Sequence, residues 1–163
     1  MTALIGDVRR IAVLRANAIG DYLMAVPALE ALKHAYPGAR LTLLGTAWHA
    51  GFLTGRPGPV DEVVALPPIS GVSTREPGHA APEELCAGLR QREFDLAVQI
   101  HGGGRFSNPF VRRLGARVTA GLRAPGPSGW TAGCRTPTTT TRPCVSCRWR
   151  HWSARWTPGW SRG

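Results

Sequence analysis

Hydrophobic residues follow two alternating patterns from residue 10 to about residue 122. Apolar runs at 10–16, 40–45, 60–66, 94–101 and 117–122 are typical of buried strands. Between the first two runs, residues 19–38 carry apolar positions at helical spacing, at Leu23, Val26, Leu29 and Leu32, until Pro37 and Gly38 end the helix. Shorter helices are predicted at 47–55, 82–93 and 105–116. Strands separated by helical crossovers predict an α/β fold, a doubly wound, Rossmann-like parallel sheet.

The pattern ends near residue 126. Residues 127–163 contain no acidic residue and no Ile, Leu, Phe or Met, but hold five of the six Trp and three of the four Cys. Such a segment cannot supply a packed apolar face. We therefore divide the chain into a Rossmann-like domain at 1–126 and an irregular basic tail at 127–163. This composition is also what a GC-rich gene yields when it is read out of frame, so the tail is interpreted as frameshifted or, alternatively, as a disordered basic tail.

The tail also carries much of the positive charge. The net charge is +10, yet residues 1–126 hold 14 basic against 10 acidic residues, while the tail holds 6 Arg and no acid. A high net charge alone would suggest nucleic acid or an anionic membrane as a partner; its location weakens that argument, and no nucleic acid is expected as a partner. No apolar run of membrane-spanning length and no secretory leader is readable, so we expect a cytoplasmic protein.

Asp21 is the first residue that suggests chemistry. It follows Gly20 in the turn between the first strand and the first helix, where ligands of doubly wound sheets bind. One interpretation is a helix cap, worth about 1 kcal/mol, with no chemistry implied. The other is a general base at the mouth of a cleft. Spacing alone favours the cap.

A second candidate loop follows the strand at 94–101. The sequence "QIHGGGR" offers backbone N–H groups at Gly102 and its neighbours that could cradle an anion, and Arg105 could add a charge-assisted hydrogen bond. The alternatives are a flexible loop and a buried, structural His101. If the two strands are neighbours, this loop and Asp21 share one cleft.

Longer stretches of the chain resemble a known family. The run "RIAVLRANAIGDYLMAVPALEALKHAYPGARLTLL", followed by "VDEVVALP" and "FDLAVQIHGGGRFSN", is similar to the N-terminal part of the family 9 glycosyltransferases, which include ADP-heptose:lipopolysaccharide heptosyltransferases. The resemblance covers residues 10 to about 123. Its most specific part is the Gly-Asp turn, and it departs from the family pattern at His101 and the glycines after it.

The resemblance implies the N-terminal, acceptor-side half of an inverting, GT-B-type glycosyltransferase. Asp21 would then be the catalytic base, and Gly20 would permit a tight turn and close substrate approach. Arg15 and Asn17 would orient the loop or contact anionic acceptor groups, with an ordinary strand-end charge as the alternative for Arg15. His101, Gly102 and Arg105 join the substrate-binding set from the glycine-rich loop described above, not from the resemblance.

Substrates and partners follow from the same resemblance. A nucleotide sugar would be the donor, with heptose as one candidate sugar, and a glycan or glycolipid the acceptor, with peripheral contact at the inner membrane face. No metal at the reaction centre and no separate cofactor are expected. Without a donor half, the 163-residue chain is expected to be an inactive fragment.

The tail supports a rival prediction from another class. Cys134, Cys144, Cys147 and His151 are residue types that bind zinc, although their spacing matches no common zinc signature closely. A zinc site among basic and aromatic residues would fit a small nucleic-acid-binding protein. The alternative is a chance cluster in an out-of-frame segment that binds no metal.

Overall fold

The computed structural model describes residues 5–102 and 104–121. They form a five-stranded parallel sheet with helices on both faces. The strands are β1 Arg10–Leu14, β2 Arg40–Gly45, β3 Glu62–Ala65, β4 Leu96–Gln99 and β5 Val118–Gly121. The helices are α1 Ile19–Ala35, α2 Ala47–Leu53, α3 Glu83–Arg90 and α4 Ser107–Arg112. The predicted tail lies outside the described residues.

The strand order confirms the predicted doubly wound sheet. It is β3-β2-β1-β4-β5, with every neighbouring pair parallel. The chain moves outward from β1 to β3 and then returns to place β4 on the other side of β1. This reversal between β1 and β4 is the topological switch point, where the loops leaving the two strands separate and open a crevice.

Alternate residues of β1 supply the two halves of the core. Ile11 and Val13 face α1, where they belong to a buried cluster with Tyr22 and Leu29. Ala12 and Leu14 face the other side and pack in a cluster with residues of α3 and α4, which include Cys86, Leu89, Phe110 and Val111. The period of two in the strand therefore carries apolar side chains into both layers.

Helix α1 is confirmed, and most of its predicted apolar series faces the sheet. Leu29 is buried, and Val26 and Leu32 pack against the same core cluster. Leu23 is the exception at 55% exposed, and Tyr22 and Ala25 are buried in its place. Helical periodicity therefore located the helix and most of its inward face.

Two carboxylates join strands at the amino edge of the sheet. Asp95 Oδ2 accepts hydrogen bonds from the N–H groups of Arg9 and Arg10, at 2.8 and 2.9 Å. Asp61 Oδ2 accepts a bond from the Leu41 N–H at 2.7 Å and pairs with Lys33 Nζ at 2.6 Å. Partial burial alone would raise the pKa of Asp61, but the Leu41 N–H and the Lys33 ammonium outweigh it and hold that pKa below its usual value. Both acids therefore align strands and lie at the edge opposite to the crevice.

Candidate functional site

A cleft of about 630 Å³ opens at the carboxyl edge of the sheet. Its walls come from the loops after β1, β2 and β4 and from the segment between β3 and α3. The lining residues are Ala16, Asn17, Ala18, Asp21, Thr46, Trp48, Gly71, Val72, Ser73, Thr74, Arg75 and His101. The cleft lies at the switch point, which is the place where the doubly wound topology predicts a ligand site.

Arg15 fixes the position of Asp21. Its Nη2 lies 2.8 Å from Asp21 Oδ1, its Nε donates to the Asp21 carbonyl oxygen at 3.0 Å, and its Nη1 donates to the Ile100 carbonyl oxygen at 2.5 Å. The arginine side chain is only 13% exposed, whereas that of Asp21 is 45% exposed. One guanidinium thus joins the end of β1, the first turn of α1 and the end of β4, and leaves the carboxylate accessible from the cleft.

This arrangement answers the question of whether Asp21 caps the helix. Among the described residues, Arg15 donates to the Asp21 carboxylate and no N–H of α1 does so. The N-cap position itself is Ala18, which has no capping side chain. Asp21 retains a favourable place near the positive end of the helix dipole, but it does not act as a hydrogen-bonding cap.

His101 lies at the end of β4 and links the two neighbouring loops. Its Nδ1 accepts a hydrogen bond from the Ala16 N–H at 3.1 Å, so a neutral ring carries its proton on Nε2. Burial, together with the nearby Arg15 guanidinium, lowers the pKa of His101, and the Asp21 carboxylate opposes this only in part. His101 therefore contributes a neutral imidazole to the cleft, beside the loop that carries Asp21.

A buried polar network holds the turn after β4. The Gln99 side-chain amide donates to the His101 carbonyl oxygen and to Ser107 Oγ, and Ser107 Oγ donates to the same carbonyl at 2.9 Å. Gly102 follows with φ of +60°, a conformation that favours glycine. The network ties the first turn of α4 to the end of β4 and so fixes the backbone around His101.

Trp48 forms the aromatic wall of the cleft. It lies in the first turn of α2, where its indole stacks on the imidazole of His49 with ring centres 3.8 Å apart and planes at 26°. His49 is fully buried, and its Nδ1 lies 3.0 Å from the Thr46 N–H. Burial lowers the pKa of His49 to about 4. Tyr22 and Phe52 meet these rings edge-on, so the indole is braced from within the core.

The structure brings together most, but not all, of the residues that the sequence suggested. Asp21, Asn17 and His101 line the cleft, and Arg15 lies behind Asp21. The shared-cleft prediction for the loops after β1 and β4 is therefore confirmed. The arginine expected to complete it is placed differently: Arg105 stacks on Phe106 and lines an adjoining cavity of about 440 Å³ between the β3–α3 segment and α4.

The expectation of a tight turn at Gly20 is wrong. Gly20 is the second residue of α1, and its φ lies outside the left-handed region. The position is nevertheless open, since a Cβ there would meet nothing within 4 Å. Close approach of a substrate to this residue stays a prediction, as do the binding roles of Gly102 and Arg105.

Sequence reasoning missed the walls that α2 and the β3–α3 segment contribute. Thr46 and Trp48 follow β2, and Ser73, Thr74 and Arg75 belong to the segment after β3. The strand order contains a signal for them, because parallel strands end at one edge and the residues that follow β2 and β3 therefore lie there too. Which of them reach the cleft depends on how the segment folds back.

Two expected absences concern metals and membranes. Within the described ranges, no group of three or more His, Cys, Asp or Glu side chains could hold a metal ion. The tail residues of the rival zinc prediction lie outside those ranges. No helix of the described part is both long and apolar enough to cross a bilayer.

Three solved structures with a similar fold are a glycosyltransferase and two heptosyltransferases. A family 9 glycosyltransferase from Veillonella parvula DSM 2008 matches 76% of this chain and 34% of its own, at 21% identity and a TM-score of 0.54. The E. coli heptosyltransferase WaaC with ADP matches 94% of this chain and 48% of its own, at 20% identity and a TM-score of 0.54. The E. coli ADP-heptose lps heptosyltransferase II matches 69% of this chain and 30% of its own, at 20% identity and a TM-score of 0.50.

No protein-family model and no curated protein sequence matches the chain. The chain spans between 30% and 48% of the lengths of the three solved structures. At this level of identity, the likeness concerns the fold. The chain therefore has an α/β fold similar to that of family 9 glycosyltransferases and heptosyltransferases.

Proposed function

We propose that this chain is the acceptor-side half of an inverting glycosyltransferase of the GT-B type. The observation that carries the proposal is the Arg15–Asp21 pair: a carboxylate held by a nearly buried guanidinium, yet accessible from a cleft at the switch point of the sheet. The similar fold of solved family 9 glycosyltransferases supports the same assignment. Gly20 and Asp21, which the structure places in the first turn of α1, are the most specific part of the sequence resemblance to this family.

The proposed chemistry is a single displacement at the anomeric carbon of a donor sugar. An acceptor hydroxyl attacks this carbon from the face opposite to the nucleotide, and its proton passes to the Asp21 carboxylate. The nucleotide leaves with the electron pair of the broken bond. Asp21 suits this task because Arg15 binds its Oδ1, while Oδ2 has no partner among the described residues. One well-placed carboxylate is enough for general-base catalysis of this step.

The neighbouring groups have supporting tasks in this proposal. Arg15 keeps the carboxylate in position, and the neutral His101 could donate from Nε2 to an acceptor oxygen. Asn17 and Gly20 border the same loop, and Gly102 shapes the turn after His101. Arg105, in the adjoining cavity, would act on a more distant part of the acceptor.

The substrates are proposed from the solved structures. Two of them are heptosyltransferases, and one carries ADP. We therefore propose a nucleotide sugar as donor, with heptose as the first sugar to test, and a lipopolysaccharide or another cell-surface glycan as acceptor. The nucleotide sugar is a substrate, and no separate cofactor is required. An acceptor with a lipid end implies a cytoplasmic enzyme in peripheral contact with the inner membrane face.

A transfer assay tests the proposal. We propose that the reading frame is shifted near codon 127, and the test protein is the product of the same gene after a one-base correction there, called here the frame-restored protein. We expect it to add a sugar mass to a glycolipid acceptor when supplied with ADP-heptose, as measured by mass spectrometry. The 163-residue chain should add none, because holding both substrates in one geometry contributes about 7 to 11 kcal/mol and needs a donor domain. Transfer by the short chain would contradict the division into two halves.

A further inference from the structure

The cleft is lined by several polar residues and one large aromatic residue. Asn17 contributes an amide group, Thr46, Ser73 and Thr74 contribute hydroxyl groups that also bond within the protein, and Trp48 contributes an indole. A pyranose ring has the complementary chemistry, since its hydroxyl groups form hydrogen bonds around the rim while one face presents C–H groups. Such a face packs against an aromatic ring through dispersion and through the negative potential of the ring face.

Trp48 is built as a rigid wall. One face of its indole is covered by the His49 imidazole, and Phe52 meets the ring edge-on at 5.9 Å between centres. Trp48 is half-buried and is one of the residues that line the cleft. His49 itself cannot retreat, because it is fully buried against Gly45, where an added Cβ would lie only 2.9 Å from the imidazole. The indole is thus ordered before any ligand arrives, which reduces the entropy lost on binding.

We propose that Trp48 is the stacking platform for a pyranose ring of the acceptor. The inference rests on the proposed function, since it assigns a contact residue within the same cleft. The ring on the indole would be the one that offers its hydroxyl to Asp21 or the ring next to it, because Trp48 and Asp21 line one cavity. No residue of the sequence prediction had this role.

An NMR titration of the 163-residue chain tests the platform without requiring catalysis. The chain contains six tryptophans, and the indole N–H signal absent from the Trp48→Phe variant identifies Trp48. The probes are methyl α-D-mannopyranoside and the corresponding methyl heptopyranoside. We expect the Trp48 signal to shift saturably with either sugar while the other five indole signals stay in place.

Matched variants separate stacking from folding. Saturation transfer to the same sugars should show roughly five- to tenfold weaker binding for Trp48→Ala, in line with the energy of an aromatic contact, and partial rescue by Trp48→Phe. The control is Met24→Ala, which removes an exposed large hydrophobic side chain outside the cleft lining. It should leave sugar binding unchanged.

Two outcomes would overturn the platform. One is a Trp48 signal that neither sugar moves; the other is a Trp48 signal that ADP moves and the sugars do not, which would make the indole a nucleobase contact. Failure of the proposed function has a different signature. Trp48 would then bind pyranosides, while the frame-restored protein transferred no sugar.

Discussion

At the scale of single residues, the site depends on one arginine. Arg15 pairs with the Asp21 carboxylate and also donates to two backbone carbonyls that belong to different elements. A lysine could not form this set of bonds, because its ammonium lacks the planar fork of a guanidinium. The same side chain therefore explains why Asp21 is held at the wall of the cleft.

His49 leads to a prediction on pH. Its pKa is lowered to about 4 by burial, from 6.5, so below about pH 6.5 the unfolded state binds a proton that the folded state excludes. The free energy of unfolding should therefore decrease as the pH is lowered from about 6.5 towards about 4, by up to about 1.4 kcal/mol per pH unit from this residue. His49→Asn can still accept from the Thr46 N–H but does not titrate. Urea unfolding at about pH 7 and about pH 5 should show a steeper loss for the wild type than for this variant.

The comparison isolates His49, because His101 is present in both proteins and contributes equally to both slopes. Equal losses in the two proteins would show that His49 takes up its proton without opening the fold.

The sequence specified the candidate base but not its environment. The sequence shows Asp21 after Gly20 at the end of a strand, and it also shows Arg15. It does not show that the two side chains pair, because a helix cap and a general base would both be an Asp at this position. Only the positions of Ile100 and Arg15 in space show that Arg15, and not an N–H group of α1, holds the Asp21 carboxylate.

At the scale of elements, the sheet is aligned by side chains at its amino edge. Asp95 precedes β4 and receives two N–H groups from the start of β1, and Asp61 precedes β3 and receives one from the start of β2. Each acid fixes where two parallel strands begin relative to each other. Their carboxyl ends, and thus the loops of the cleft, are placed by the same registers.

Asp95 allows a direct test of this alignment. Asp95→Ala leaves the N–H groups of Arg9 and Arg10 without their acceptor, and we expect a loss of about 1 to 3 kcal/mol in the free energy of unfolding. The control is Glu93→Ala, which removes an exposed ion pair with Arg10 and should cost less than about 1 kcal/mol. Urea midpoints measure both. Equal midpoints for the two variants would refute the aligning role.

Element positions followed from the periodicity, and so did the bounds of β2, whereas several other element ends did not. The apolar run at 94–101 predicts a longer strand than β4, which covers Leu96–Gln99. Backbone bonds to β1 still flank β4, from the Asp95 N–H to the Arg10 carbonyl oxygen and from the Ile100 N–H to the Leu14 carbonyl oxygen. Asp95 and His101 add side-chain bonds to the neighbouring backbone at these two ends. Such bonds depend on β1 being adjacent, which periodicity does not encode.

At the scale of the whole molecule, the topology explains the position of the site. The order β3-β2-β1-β4-β5 places the reversal between β1 and β4, and the loops after these two strands carry Asp21 and His101. This much follows from the alternating pattern of strands and helices. The contribution of Trp48 and of residues 71–75 does not, since it depends on how α2 and the β3–α3 segment return over the edge of the sheet.

The central claim is that Asp21 is the base of a glycosyl transfer, and the kcat of the frame-restored Asp21→Asn variant tests it most directly. The substitution keeps the size of the side chain and removes its basicity. We predict that kcat falls on the order of 10²- to 10⁴-fold with little change in the KM of the acceptor. Glu76→Gln, which neutralises an exposed carboxylate outside the cleft lining, should retain the wild-type kcat. A near-normal kcat for Asp21→Asn would contradict the account and leave Asp21 as a structural partner of Arg15.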